Sequence, residues 1–565
     1  MALQWIVADQ PDKDKVNVLI DQLKVPRLIA SVLINRGIET LGEARNFFRP
    51  DWNDLYDPFL ICDMAEAVDR IEKALETGER IFIYGDYDVD GITATSMLTL
   101  FFQQLGAPVS FFIPNRMREG YGLSSHGIQQ ASQMGAKLLI SVDCGITGIE
   151  EVKQARALGI DTIISDHHEP GKGMPDAVAI LDPKRKDCAY PFKELAGVGV
   201  AFKLIQGISR RLNLDEETYR QYVDLVALGS TADIVPLIDE NRVLVQKGLE
   251  RINQLDRVGI RALVESSGLT HKIIGTGQVV FVLAPRINAV GRLGNAERAV
   301  KLLITESVQQ SKNIASVLEI ENQNRKDIDE ETFLDALSLV KSECDLEKER
   351  AVVLAKDGWH SGVIGIVASR VVEQVYRPTI MIAIENGIGK GSARSIPNFD
   401  IYSALKACGE HLLGFGGHRY AAGMTIEPGK IDAFREAFQK VAQETVSDEA
   451  LIQKVYIDAE ISLSEITEKV VRILNRFAPF GPQNMRPVFL SRQLDVVGTP
   501  RIVGKNHLKF KVRQNGQVFD AIGFDLGDLL YRLTPGESNL DMVYVIEENH
   551  YMNTTRVQLR VKDLR

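Results

Sequence analysis

Three groups of acidic and imidazole side chains each begin where an apolar, strand-like run stops. Residues 80–84 lead into Gly85-Asp86-Tyr87-Asp88-Val89-Asp90-Gly91, residues 138–142 into Asp143-Cys144-Gly145, and residues 162–165 into Asp166-His167-His168-Glu169. In an open parallel sheet the crevice beyond the carboxyl ends of the strands receives ligands, so clusters at successive strand ends can converge on one point. Carboxylates and imidazoles meeting there suit hard or borderline divalent cations.

The first cluster imitates the opening of an EF-hand loop, and the imitation fails. Its twelfth position is Met97 where a bidentate Glu is required, and the segment follows a strand rather than a helix. Helix N-capping accounts for one of the three aspartates, most easily Asp90. Three carboxylates within five residues repel one another unless a cation neutralises them, which assigns Asp86 and Asp88 to metal ligation. Asp143 stands where a carboxylate can bridge two cations. On an extended segment His167 and His168 point to opposite sides, so one is a direct ligand and the other supports a ligand from behind or faces a substrate phosphate. A fourth segment, residues 225–237, is apolar and small apart from Asp233, a carboxylate that burial would penalise without a partner. Asp224 competes for this place but reads as a helix-surface residue. The set Asp86, Asp88, Asp143, His167, His168 and Asp233 is rich in carboxylate and free of thiolate, which fits Mn²⁺ or Mg²⁺ better than structural zinc. Two such ions about 3.5–4 Å apart recur in in-line phosphoryl hydrolysis. No Walker loop and no H-E-x-x-H occurs.

These residues need a scaffold, and the periodicity supplies one. Runs at 80–85, 108–113, 137–142, 161–165 and 177–181 alternate with helical stretches such as 92–105 and 147–158, the mark of a doubly wound parallel sheet with both faces covered. Residues 219–229 and 242–267 read as helices. From 305 to 342 no Gly or Pro interrupts a helical pattern, so one long connecting helix is expected. A second α/β unit follows, with strands near 351–355 and 379–384 and glycine-rich turns at 387–391 and 414–417. After a polar linker at 444–450, strands at 455–457, 488–490, 507–512, 518–524, 541–546 and 555–561 around a helix at 464–477 suit a small β-barrel. The expected division is an N-terminal helical segment (1–75), a catalytic α/β domain (76–304), the connecting helix (305–342), the second α/β domain (343–447) and the barrel (451–565).

Composition bounds the rest. The chain has 565 residues, 45% of them hydrophobic, ample for several cores. No apolar run approaches the roughly 18 residues that span a bilayer, and the first residues lack a signal-peptide pattern, which gives an expectation of a cytoplasmic protein away from membranes. Five scattered cysteines without a C-x-x-C pair indicate neither a disulfide framework nor a zinc knuckle. The net charge of −10 argues against a non-specific nucleic-acid coat, though it leaves room for a local basic channel.

The motifs together resemble the DHH phosphoesterase family, whose name is the tripeptide seen here as Asp166-His167-His168, and within it the single-strand-specific exonucleases. The likeness covers nearly the whole chain. It includes Pro114-Asn115-Arg116, Ala284-Pro285-Arg286-Ile287-Asn288, Gly391-Ser392-Ala393-Arg394-Ser395 and Gly416-Gly417-His418. The resemblance implies a DHH domain, a DHH-associated domain and an OB-fold barrel. It also implies 5′-to-3′ degradation of single-stranded DNA to mononucleotides in recombination and repair, with two Mn²⁺ or Mg²⁺ ions. It places Asp143 and His168 in catalysis and Asp86, Asp88, Asp143, His167 and Asp233 on the metals. Arg116, Ser392 and Arg394 would then bind the 5′-terminal phosphate, and His418 would close over the substrate. Arg286 would line the DNA path or pair with the acidic long helix. Lys505, His507, Lys509, Phe510 and Lys511 give the barrel a basic and aromatic strand. Implied partners are single-stranded DNA, a single-strand-binding protein and a helicase, with the enzyme itself a monomer. Some relatives carry a histidine shortly before the first aspartate; Phe82 and Tyr84 stand there instead, so one metal would have fewer protein ligands. Two other readings are a pyrophosphatase or small-nucleotide phosphodiesterase, which has no use for the barrel, and a non-catalytic single-strand-binding scaffold, which would lack metal ligands.

Overall fold

In the computed structural model, the described residues are 3–116, 119–293, 295–536, 539–551 and 554–565. They divide into two compact units. The larger contains Trp5–Gly291, Asn295–Ser316 and Tyr456–Arg565, and the smaller is chiefly Val317–Val455.

At the centre of the larger unit is a parallel sheet of β1 (Ile81–Gly85), β2 (Val109–Phe112), β3 (Leu138–Val142), β4 (Asp161–Ser165) and β5 (Ala179–Leu181), in the order β2-β1-β3-β4-β5. All of β1 and β3 is buried, as continuous apolar strands covered on both faces should be. The pairing aligns the strand ends: Gly85 lies beside Val142, Val142 beside Ser165, and Ser165 beside Leu181. The next residue in each strand is an aspartate, namely Asp86, Asp143, Asp166 and Asp182. The helix Val89–Gln104 follows β1 and is buried on almost every side. The stretch 242–267 is two helices, Asp239–Ile252 and Val258–Ser266, because the chain turns through a left-handed residue at Leu255.

The barrel belongs to the same unit. Val488–Val503, His507–Gln514, Gln517–Gly523, Thr554–Leu564 and Leu540–Tyr551 pair in that order, and the last pairs back to the first, which closes five strands and leaves no open edge. The run at 455–457 is not a barrel strand; it pairs with Gln4–Val7 in a separate two-stranded sheet. The helices Lys13–Leu23 and Arg27–Asn35 place Val16, Leu19, Ile29 and Leu33 in the barrel's own core beside Phe489, Phe510 and Tyr544. Arg242, on a helix of the α/β domain, ties that domain to the barrel. Its guanidinium donates to the carbonyls of Phe47, Phe477 and Ala478 at 2.9 Å each.

In the smaller unit, Val352–Asp357 runs parallel to Thr379–Glu385, and Ile388–Arg394, Ala421–Ile426 and Leu412–Gly417 extend the sheet antiparallel. The segments read as glycine-rich turns at 387–391 and 414–417 are therefore mostly strands. Two glycines of the first segment suit close cross-strand packing: a Cβ on Gly391 would come within 2.6 Å of the Met424 side chain and one on Gly389 within 2.8 Å of the Ile426 side chain. The expected long helix is present as Val308–Glu343, 36 residues. Among the described residues, no helix is long and apolar enough to cross a membrane.

Removing the Arg242 fork leaves three carbonyls without their charged donor. Arg242→Met should cost about 2–4 kcal/mol and lower the calorimetric melting temperature. An unchanged melting curve would show that the anchor is dispensable.

Candidate metal centre

Asp88 caps the helix Val89–Gln104, accepting from the backbone N–H of Asp90 at 2.9 Å and of Gly91 at 3.1 Å. This corrects the capping assignment made from sequence, because Asp90 serves a different helix. Its carboxylate accepts from Gly197 N at 2.6 Å and Val198 N at 2.9 Å, at the start of Gly197–Arg211. Two helix N-termini thus aim their unpaired N–H groups at neighbouring carboxylates. Only glycine fits two of the contacts. A Cβ on Gly91 would lie 2.6 Å from the backbone of Asp86, and one on Gly197 would lie 2.7 Å from Asp143 Cβ.

Asp166 organises the histidine turn. One oxygen accepts from His167 N at 2.8 Å, His168 N at 3.2 Å and His168 Nδ1 at 2.8 Å, and the other accepts from Ile146 N at 3.0 Å. That bend places both imidazoles on the same side, with ring centroids 4.5 Å apart, where an extended segment would have separated them. His167 Nε2 stands 3.1 Å from Asp143 Oδ1, 3.7 Å from Asp90 Oδ2 and 3.8 Å from Asp233 Oδ2. His168 Nδ1 is 3.9 Å from Asp143 Oδ1. The hydroxyl of Tyr121 lies 3.0 Å from His168 Nδ1 and donates to the Asp143 carbonyl at 3.3 Å.

Three sets of ligand atoms lie close enough to hold an ion: Asp86, Asp88 and Asp143; Asp143, His167 and His168; and Asp90, His167 and Asp233. The structure thus brings together Asp86, Asp88, Asp143, His167, His168 and Asp233. Asp224 is elsewhere. It is buried, not on the helix surface, and pairs with Arg257 through contacts of 2.6 and 3.0 Å. Arg116 borders the cluster with its guanidinium 5.3 Å from the centre of the Tyr87 ring. Arg286 is buried and donates to the Val282 carbonyl at 2.6 Å.

The remaining sequence candidates lie in the smaller unit. Ser392 and Arg394 are on one strand, with Arg394 Nη1 donating to Ser392 Oγ at 3.2 Å. Gly365, near the start of the helix Ile364–Val375, leaves them room, because a Cβ there would meet Ser392 Oγ at 2.9 Å and Arg394 Nη2 at 3.0 Å. His418 is exposed at the hairpin after Leu412–Gly417, its N–H donating to the Ala421 carbonyl at 2.8 Å.

Electrostatics tests whether a cation belongs in the cluster. Burial and neighbouring carboxylates hold the Asp86 and Asp143 carboxyls well above their ordinary range, and the same causes raise Asp233. Burial beside Asp88 pushes Asp90 up to about 7. Burial and the adjacent His168 drive His167 down to about 3, leaving a neutral imidazole suited to ligation. Burial opposes charge on both members of the His168–Asp166 pair, yet their hydrogen bond prevails, raising His168 and lowering Asp166. Asp86 Oδ1 is buried without a hydrogen-bond donor. Clustered anions with an orphaned oxygen and a neutral imidazole fit divalent cations.

Asp182 was missed in the sequence, though it obeys the same rule of an aspartate directly after a strand. It is fully buried, accepts from Lys184 N at 2.8 Å, and burial pushes it up to about 7.

A register-aligned parallel sheet with this cluster at its strand ends defines a DHH-type metal-dependent phosphoesterase. The DHH family N-terminal domain model matches residues 80–230, the DHHA1 domain model 348–444, and the RecJ OB domain model 457–563. The single-stranded-DNA-specific exonuclease RecJ of Bacillus subtilis is 40% identical over 99% of this chain and 70% of its own length. That of Escherichia coli is 33% identical over 96% of each. RecJ of Thermus thermophilus in complex with Mn²⁺ matches the fold with a TM-score of 0.85 at 30% identity, over the whole chain and 79% of that structure. The chain belongs to the RecJ family.

Because Asp90 holds its proton until about pH 7 and three other carboxyls lie above their ordinary range, cation binding must expel protons. Calorimetric titration with Mn²⁺ at pH 6.5 should give an apparent enthalpy that changes with the buffer's ionisation enthalpy, and affinity should fall as the pH is lowered. Buffer-independent heats would contradict the assigned protonation. Gly197→Ala should displace Asp143 and weaken Mn²⁺ binding at least tenfold; unchanged affinity would show that the close approach is not needed.

Proposed function

We propose that the chain is a metal-dependent exonuclease specific for single-stranded DNA. It hydrolyses phosphodiester bonds from the 5′ end and releases mononucleotides in recombination and repair. The observation that carries this reading is the convergence of Asp86, Asp88, Asp143, His167 and Asp233 on one cluster. The chain around that cluster resembles RecJ exonucleases along its whole length. A pyrophosphatase does not need the closed barrel, and a binding scaffold does not need a full set of ligands.

In this reading Asp86, Asp88, Asp143, His167 and Asp233 would hold two Mn²⁺ or Mg²⁺ ions, Asp143 as a ligand common to both. Such ions, when bound, lower the pKa of an attacking water and counter the negative charge developing on the phosphoryl and leaving-group oxygens. His168, oriented by Asp166, whose carboxylate favours the protonated ring, donates to an oxygen of the scissile phosphate. Arg116, Ser392 and Arg394 receive the 5′-terminal phosphate and so set polarity, since guanidinium forks match phosphate oxygens. His418 meets the backbone of the strand from a glycine-rich hairpin, Arg286 lines the path, and the barrel grips the strand beyond the site. A single-strand-binding protein and a helicase supply the substrate, and the enzyme works as a cytoplasmic monomer.

End-labelled single-stranded, double-stranded, 5′-blocked and 3′-blocked DNA, incubated with Mn²⁺, tests the whole reading. Mononucleotides should come only from single strands with an open 5′ end; degradation of 5′-blocked strands would overturn the polarity. Asp143→Ala should abolish cleavage while single-strand binding persists, and substantial turnover with added Mn²⁺ would remove Asp143 from the bridging position. Arg394→Ala should erode the preference for a 5′-phosphate over a 5′-hydroxyl, and unaltered discrimination would exclude it from that pocket.

A further inference from the structure

Ile234, directly after Asp233, combines an unfavourable backbone with an exposed side chain. The helix Val223–Ala232 ends at Asp233, whose N–H donates to the Gly229 carbonyl at 2.9 Å, and Ile234 then turns into the left-handed region at φ 62°. Glycine is usual at that place after a helix, because a Cβ is penalised there and a β-branched side chain most of all. Among the described residues no other β-branched side chain has a positive φ. The turn cannot relax from its far side: Leu237 N–H donates to the Pro482 carbonyl at 2.9 Å, and the buried Asn241 side chain donates to the Pro236 carbonyl at 3.0 Å. Packing within the fold offers little in return, since Ile234 is 60% exposed while Val235 and Leu237 beside it are buried. An apolar side chain fixed in a strained conformation and left in solvent makes its contacts when a ligand arrives.

We propose that Ile234 is a wedge for the substrate strand, its side chain entering between the two bases that flank the scissile phosphate and holding them apart. This rests on the exonuclease reading above. Asp233 Oδ2 is 3.8 Å from His167 Nε2 within the cluster. Consecutive Cα atoms are only about 3.8 Å apart, so a phosphate seated at the cluster brings its neighbouring bases within reach of Ile234. An aliphatic side chain has nothing to offer the phosphate itself. It packs against the apolar face of a base, and isoleucine is among the residues that part base steps in this way. Parting neighbours is easy in an unpaired strand and costly in a duplex, so the wedge adds to single-strand specificity.

The test compares release of the first nucleotide, with Mn²⁺, from 5′-phosphorylated oligothymidylate and from the same strand lacking its first two bases, using the wild type, Ile234→Gly and Ile234→Asn. Glycine and asparagine both accept the left-handed conformation, and asparagine does so without glycine's added freedom. Both variants should melt at a higher temperature than the wild type, because the strain is relieved. Both should lose roughly fivefold or more in kcat/KM on the intact strand, the scale of one lost base contact. On the abasic strand, with no base to part, the three proteins should agree within about twofold. An equal loss on both strands would assign the effect to a displaced Asp233, and undiminished kcat/KM on the intact strand would show that the side chain meets no base; either overturns the proposal. So would a lower melting temperature for both variants, since the packing of Ile234 in the fold would then outweigh its strain. These outcomes leave the exonuclease reading standing, whereas a wild type that cleaves neither strand would overturn that reading and the proposal with it.

Discussion

Everything around the site answers to one electrostatic difficulty: carboxylates crowded together where water is scarce. Asp86 and Asp143 are each 2% exposed, Asp90 1%, and Asp166 and Asp182 not at all. Isolated buried anions would cost several kcal/mol each, so each needs donors, a proton or a cation. The chain solves the problem differently at each position. Asp90 receives a helix N-terminus, Asp166 receives three backbone N–H groups and an imidazole, and Asp86 and Asp143 are left with carboxyls held well above their ordinary range.

The parallel sheet makes this crowding possible. Register pairing places Gly85, Val142, Ser165 and Leu181 side by side, so the aspartate that follows each is delivered to the same edge. A slip of one residue would turn every side chain of a strand to the opposite face and disperse the cluster. Positive φ at Asp143 and at Ile234 shows backbone strain at one strand-end aspartate and directly after Asp233. A β-branched residue such as Ile234 rarely accepts that conformation, and its presence beside a proposed ligand fits strain concentrated at a functional site.

Much of this was legible in the residues. Alternation of apolar runs with helical stretches located all five strands of the parallel sheet, and residue chemistry singled out six of the seven side chains that come together, Asp90 being the seventh. What escaped was the hydrogen bonding that distinguishes one aspartate from another. Spacing alone placed Asp90 on its own helix, whereas its carboxylate reaches a helix more than a hundred residues later. Asp224 read as a surface residue because nothing local indicates that Arg257 folds back to neutralise it. The two histidines were assigned to opposite sides on the premise of an extended backbone, which the Asp166 turn removes. Glycines were read as turns in the smaller unit because their value in strands depends on a neighbour, Met424, supplied only by the fold.

Two cations shared through Asp143 are what the proposed chemistry of this cluster requires. Anomalous diffraction at the manganese edge, from crystals grown with Mn²⁺, addresses this requirement directly. Two peaks are predicted, one among Asp86, Asp88 and Asp143 and one among Asp143, His167 and Asp233, with Asp143 in contact with both. A single peak, or manganese bound away from Asp143, would contradict it.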